Sequence, residues 1–205
     1  FPHQDLPVPP FVFGYWFFNG RKDKTISPPP QFHDYVLERL KDYGYKYKRI
    51  RKMRNNRIQY KLTPTVESHL VPFIPSKIPN NYLLASSEQQ IELLQGIMCA
   101  RISQYDEKSH TFKFGTGKHP IFLQVQQLVE STGHRTRMRY FPNIKTYELA
   151  FRSNLPLLPV EQPLTASNRR YIGEIRKIEP QLCVHIETTS EDSSILVGEG
   201  FIACH

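Results

Sequence analysis

A chain of 205 residues is long enough for one domain with a sizeable core plus a smaller appendage. Apolar residues at 39% with 12% aromatics exclude a disordered tail, and no apolar run approaches the roughly 20 residues that span a bilayer, so no membrane partner is expected. Lys and Arg outnumber Asp and Glu by 27 to 19; the formal charge of +8 and pI near 9.4 favour a polyanionic partner through counterion release, or mark a basic solvated surface.

The opening Phe1-Pro2-His3-Gln4-Asp5 lacks the basic start and apolar centre of an export signal. Cys99, Cys183 and Cys204 form no CxxC pair, which argues against a disulfide framework or a zinc site. A soluble protein working in the reducing cytoplasm is the expectation.

In chain order, Pro9-Pro10 opens the apolar segment Phe11 to Phe18, closed by Asn19-Gly20; a short basic stretch at 21 to 27 then meets a proline stop at 28 to 30. Phe32, Val36, Leu37 and Leu40 fall at helical spacing before a stop at Gly44. Tyr45 to Arg51 and Ile58 to Leu62 alternate apolar with basic residues around Asn55-Asn56, which predicts a hairpin with one wet, basic face.

A second stretch repeats this order of parts. Ser86, with Gln89 three positions on, marks a helix start that runs through Ile91 to Met98. Short strands near 101 to 105 and 110 to 115 flank the turn Asp106-Glu107-Lys108-Ser109, a helix from His119 to Thr132 stops at Gly133, and a hairpin covers His134 to Tyr140 and Lys145 to Arg152. Leu40 to Arg49 and Val129 to Met138 each read as helix end, glycine stop, then a strand of alternating basic residues. The prediction is an α+β fold of two tandem αββαββ repeats, about 6–75 and 78–152, within a domain 1–154. A proline-rich linker at 155–168 leads to a small all-β tail at 169–205, too short to bury a core alone.

Two apolar stretches carry a specific resemblance. Leu6-Pro7-Val8-Pro9-Pro10-Phe11-Val12-Phe13-Gly14-Tyr15-Trp16-Phe17-Phe18-Asn19-Gly20 resembles the first signature helix of intein-borne LAGLIDADG homing endonucleases, typically L-P-x-x-P-x-x-L-G-x-W-L-G-D-G. Ile78-Pro79-Asn80-Asn81-Tyr82-Leu83-Leu84-Ala85-Ser86, followed by Leu93-Leu94-Gln95-Gly96-Ile97-Met98, is similar to the second, I-P-x-x-Y-L-x-x-S then L-L-x-G-L-M-D-T-D-G. The resemblance implies two signature helices packed side by side through Gly14 and Gly96, and saddle-shaped antiparallel sheets that lie in the major groove of double-stranded DNA. It also implies one acid at the foot of each helix, holding Mg²⁺ for phosphodiester hydrolysis.

This chain departs from the pattern at those acids. Asn19 stands where the family carries the first Asp, and Cys99-Ala100-Arg101-Ile102 replaces D-T-D-G, so Arg101 takes the place of the second carboxylate. A guanidinium repels a hard cation. Asn19 alone is compatible with an engineered change, whereas the loss of the whole second motif reads as natural decay. The expectation is no metal and no DNA cleavage. The nearby acids Asp106 and Glu107 read as a solvated turn rather than substitute ligands. DNA contacts are expected from Arg21, Lys22, Lys24, Lys46, Lys48, Arg49, Arg51, Arg57, Lys61, Lys113, Arg135, Arg137 and Arg139, each of which also reads as a solubilising charge.

The tail carries a second resemblance. Leu182 to Glu187 and Ile195 to His205 are similar to the last two blocks of the Hint protein-splicing domain of inteins. His205 matches the penultimate histidine that assists cyclisation of a following Asn. Cys183 matches a position that is a nucleophile in one intein subgroup, and reads equally as a buried core cysteine. The sequence given contains neither that Asn nor an N-terminal splicing half, so splicing is expected to need such a half, or the host protein, as partner. Three functions follow in order: a cleavage-dead DNA binder acting as a monomer, the C-terminal partner of a splicing reaction, and an active endonuclease using substitute ligands.

Overall fold

Pro10 at the first helical position has no N–H to leave unsatisfied and starts helix α1, Pro10–Asn19. The computed structural model describes residues 1–21, 24–53, 57–63, 77–100, 104–106, 108–109, 111–153, 155, 157–159, 195–197 and 202–204. A helix apolar on every side has to be buried. Accordingly Phe11, Val12, Tyr15, Trp16 and Phe17 are all withdrawn from solvent.

The partner of α1 is helix α4, Ser87–Ala100. Its start is closed as the sequence indicates: the Gln89 backbone N–H donates to Ser86 Oγ at 3.4 Å, and the Ser86 N–H donates to Gln89 Oε1 at 3.3 Å. The two helices touch backbone to backbone at Gly14 and Gly96. A Cβ on Gly14 would run into the Leu93 carbonyl oxygen and stand 3.1 Å from Ile97 N. One on Gly96 would run into the Phe11 carbonyl oxygen and stand 2.9 Å from Tyr15 N. Only glycine permits this approach.

After α1 come strand β1 (Thr25–Ile26), helix α2 (His33–Asp42) and strands β2 (Lys46–Lys52) and β3 (Ile58–Thr63), which form an antiparallel sheet in the order β1-β3-β2. After the short helix α3 (Asn80–Leu83) and α4 come β4 (Gln104–Asp106), β5 (Thr111–Thr116), helix α5 (His119–Ser131), β6 (Thr136–Phe141) and β7 (Thr146–Phe151), with sheet order β4-β5-β7-β6. Among the described residues the first series has one strand where the αββαββ pattern asks for two. The segment between α1 and α2 is short, and Pro28-Pro29-Pro30 has no N–H to give a ladder.

Helices α2 and α5 close alike. Gly44 (φ 80°) and Gly133 (φ 83°) take the left-handed conformation, and the residues after them return N–H bonds to Leu40 O (2.9 Å) and Val129 O (3.3 Å). Each closure turns the chain directly into an edge strand, β2 or β6. Helix α2 lies on the first sheet, where His33 Nε2 meets Tyr60 Oη at 2.8 Å. Helix α5 lies on the second, with the Phe122 ring tilted against Tyr147 at 5.4 Å. One core joins the two halves: Phe18 of α1 packs edge-on against Phe114 of β5, and Phe13 stacks on Tyr82 at 4.1 Å.

Leu157 and Leu158, within the expected linker, belong to that core and are almost wholly buried. Their apolar side chains gain more from burial than from exposure between prolines. In the tail, β8 (Ile195–Val197) and β9 (Ile202–Cys204) pair antiparallel. The part of the expected all-β tail from 169 to 194 lies outside the described residues. Among the described residues no helix is long and apolar enough to cross a membrane.

Candidate nucleic-acid interface

The ends of α1 and α4 meet at Asn19. Its Nδ2 donates to the Ala100 carbonyl at 3.2 Å and to the Ser27 carbonyl at 3.3 Å, while its Oδ1 accepts the Ser27 N–H at 3.2 Å. Ala100 is the last residue of α4, so its carbonyl is one of the acceptors a helix end leaves unpaired. The amide therefore ties both helices to the segment entering α2. A carboxylate in the same place would set an acceptor against two carbonyl oxygens. Among the described residues no group of three or more His, Cys, Asp or Glu side chains is arranged to hold a metal ion. Asp106 is engaged in its own turn, its Oδ1 accepting the Lys108 and Ser109 N–H groups at 3.0 and 3.3 Å. Hydrogen bonds from Ser109, then Lys108, hold its carboxyl below the usual range. Cys99, just above the junction, is pushed up to about 12 by burial and remains a neutral thiol.

Each sheet has one face against helices and one turned outward. On the first sheet, Tyr60 and Leu62 are buried and Lys61 and Thr63 are exposed, so residues paired with Lys61 and Thr63 share the outer face. These are Lys48, opposite Lys61, and Lys46, opposite Thr63. Strict alternation would put Arg51 on the other side with Tyr47 and Arg49. A bulge between Arg49 and Arg51 changes the parity, and Arg51 pairs with Gln59, which is itself buried but by alternation shares the Lys61 side of β3. Its Nε donates to Gln59 Oε1 at 2.9 Å, and Gln59 Nε2 donates to Thr25 Oγ1 at 2.9 Å. The outer face thus carries Lys46, Lys48, Arg51 and Lys61 together. Arg49, opposite Tyr60, belongs to the helix side and is separated from this set.

The expected single wet face is also corrected, because every residue of β2 is exposed. Tyr47 on its helix side is 38% exposed and Ile50 at the bulge 49%, so the helix cover does not reach the edge strand. Strand β6 repeats this, being exposed from Arg137 onward. Charged edges of this kind resist pairing with another chain.

On the second sheet, Phe112, Phe114, Leu149 and Phe151 face the core, which turns Lys113, Gly115, Glu148 and Ala150 outward. Arg137 pairs with Ala150 and Arg139 with Glu148, so both arginines share that face. Arg135 is exposed just before β6. Arg21 is exposed at the end of α1, and Lys24, at φ 60°, shapes the turn that leads into β1. Arg57 is partly exposed beside the loop that joins β2 to β3, its carbonyl accepting the Met53 N–H. Lys22, Arg101, Glu107, Cys183 and His205 lie outside the described residues. Sequence reasoning passed over Gly115, Glu148 and Gln59; the alternation of Thr146-Tyr147-Glu148-Leu149-Ala150-Phe151 held the signal for Glu148.

No protein-family model and no curated protein sequence matches the chain. Solved structures do. The N-terminal LAGLIDADG domain of DUF199/WhiA aligns over 72% of this chain and 76% of its own, with a TM-score of 0.50 at 12% identity. Mesophilic variants of the homing endonuclease I-DmoI align over 71% and 88%, with a TM-score of 0.48 at 11% identity. I-DmoI in complex with DNA and Mn aligns over 71% and 89%, with a TM-score of 0.48 at 10% identity. The class defined by the crossing glycine-apposed helices and the helix-backed antiparallel sheets is therefore a mixed α and β protein. Its fold is the LAGLIDADG fold.

Proposed function

We propose that this chain is an intein-derived relative of the LAGLIDADG homing endonucleases that binds double-stranded DNA and has lost the ability to cut it. The observation that carries the reading is Asn19, held by three hydrogen bonds between the feet of the two crossing helices and flanked by two sheets with basic outer faces. The resemblance puts a metal-binding acid at this position, and the Asn19 amide is committed to donating toward Ala100 and Ser27. Arg101, in the place of the second acid, adds a positive charge. These residues do not fit Mg²⁺.

DNA binding needs none of those acids. Lys46, Lys48, Arg51 and Lys61 on one sheet, with Lys113, Arg137 and Arg139 on the other, supply the phosphate neutralisation that drives association. The two series of elements act as tandem repeats with internal pseudo-twofold symmetry, so a monomer suffices for a long site. The active-endonuclease reading is disfavoured because Asp106 is already bonded to its own turn.

Selection of bound duplexes from a random pool, followed by addition of Mg²⁺ and separation of the products, tests the reading. Enrichment of one long site that stays intact supports it. Cleavage overturns the assignment of Asn19 and Arg101, and the absence of enrichment overturns DNA binding.

A second reading rests on the tail, where the pairing of Ile195–Val197 with Ile202–Cys204 forms a hairpin within the segment that resembles the last splicing block. On this reading the chain is the C-terminal partner in protein splicing, with Cys183 and His205 as its reactive groups. Adding an N-terminal splicing half and an Asn after His205 then yields spliced product, which Cys183→Ala or His205→Ala abolishes.

A further inference from the structure

Asn19 is followed by Gly20, and no other Asn-Gly pair occurs in the sequence. The pair carries a reaction of its own: the glycine nitrogen attacks the side-chain amide carbon of the asparagine, and ammonia leaves. Glycine favours it, because a residue without Cβ neither shields its nitrogen nor restricts the backbone rotation that brings the nitrogen round.

In the folded chain the atoms this reaction uses are held apart. Asn19 is the last residue of α1, where the Cα–Cβ bond tilts toward the helix start and away from the next nitrogen. The Gly20 N–H donates to the Trp16 carbonyl at 2.7 Å, so that nitrogen is committed to the helix. Gly20 also lies against the Trp16 ring, which a Cβ at this position would strike. The Asn19 amide is fixed from the other side by Ala100 and Ser27, through bonds of 3.2 to 3.3 Å. Both residues are nevertheless partly exposed, so water and hydroxide are at hand once the last turn opens.

We propose that Asn19-Gly20 is a self-modification site, at which the asparagine converts to aspartate and isoaspartate at a rate set by opening of the crossing-helix foot. Hydroxide takes the Gly20 amide proton, and the nitrogen forms a bond to Asn19 Cγ. The bond from Cγ to Nδ2 then breaks, and Nδ2 takes a proton from water and leaves as ammonia. The product is a five-membered succinimide spanning residues 19 and 20. Water adds to one or the other of its two carbonyls, giving aspartate or isoaspartate; in sum, one water is consumed and one ammonia released, with no oxidation. Either product has lost the donor that bonds Ala100 and Ser27, and isoaspartate also lengthens the backbone where α1 ends. The junction therefore does not close again as before, and the change marks permanently each chain whose helix foot has opened. This inference is independent of the DNA-binding reading.

The test incubates the full chain at pH 8 in buffer, in urea below the unfolding transition and in urea above it. The tryptic peptide ending at Arg21, in which Asn19 is the sole asparagine, is then followed for the mass of an amide-to-acid change and for its two chromatographically separable products. Conversion in buffer is expected to be at least about tenfold slower than in the unfolded chain, and to quicken in urea too dilute to unfold the protein, since partial opening frees the last turn. Gly96→Ala, which forces the crossing helices apart, is expected to convert faster than wild type in buffer; the dilute-urea series decides the point if that variant does not fold. Equal rates in buffer and in the unfolded chain would show that the helix foot is no gate. A rate in buffer that neither dilute urea nor Gly96→Ala changes would overturn the role of opening, and an unfolded chain that stays unconverted would overturn the reactivity of the pair.

Discussion

Asn19 Nδ2 donates a 3.2 Å hydrogen bond to the carbonyl of Ala100, joining the foot of one central helix to the foot of the other across 81 positions of sequence. The bond needs an N–H donor. In Asn19→Asp a carboxylate faces the Ala100 and Ser27 carbonyls, and its folded pKa rises above the unfolded value of about 3.9. The variant is expected to lose about 1–3 kcal/mol at neutral pH. That deficit disappears as pH falls below the unfolded value, where the protonated acid again donates. Urea titrations of both proteins at pH 7 and pH 3.5 check this; equal stability at pH 7 would show the bond to be dispensable.

Glycine positions separate packing from openness. Gly96→Ala places a Cβ against the Phe11 carbonyl oxygen, and separating two packed helices is expected to cost about 1–3 kcal/mol or more. Gly115→Ala meets nothing closer than 3.7 Å among the described residues and is expected to be neutral or stabilising by about 0.5–1 kcal/mol. Chemical denaturation of the two variants side by side should give opposite signs.

The bulge in β2 makes neighbouring arginines unequal. Arg51→Ala and Lys48→Ala remove charges from the outer face of the first sheet. Each is expected to lower the slope of log affinity against log salt by about 0.9 for every phosphate that the side chain no longer neutralises. Arg49→Ala removes a charge from the helix side and is expected to leave the slope unchanged. Equal slope changes at Arg49 and Arg51 would contradict the register in which Arg51 lies opposite Gln59.

Burial pushes the Cys99 thiol up to about 12, whereas an unfolded thiol ionises near pH 8.5. Only the unfolded state releases this proton between those values. Stability from Cys99 is therefore complete below about pH 8.5 and is lost as pH rises, by up to about 1.4 kcal/mol per unit. Cys99→Ala is expected to show a shallower alkaline decline. Tyr15, also raised by burial, continues the loss at higher pH in both proteins. Parallel declines in guanidinium titrations from pH 8 to 11 would rule out the buried thiol as the cause.

Much of the architecture was readable because it is written in short-range rules. Pro10 at a helix start, the reciprocal Ser86 and Gln89 bonds, and Gly44 and Gly133 at positive φ are each decided by a few neighbouring residues. The alternation of Phe112, Phe114, Leu149 and Phe151 with polar residues likewise announced which face of the second sheet is buried. The second strand of the first series, which is not found among the described residues, was harder to judge, since it turns on the N–H groups that Pro28, Pro29 and Pro30 cannot give to a ladder.

By itself the sequence determined most of the order of helices and strands, the glycine stops, the apolar crossing helices and the excess of basic residues on alternating strands. All of these depend on residues that are near in the chain. Tertiary structure alone decided that Asn19 bonds Ala100, that a bulge carries Arg51 to the face of Lys48 and Lys61, and that Leu157 and Leu158 join the core. Each depends on which distant backbone lies alongside, and hydrogen-bond register and packing distance exist only once those segments have met.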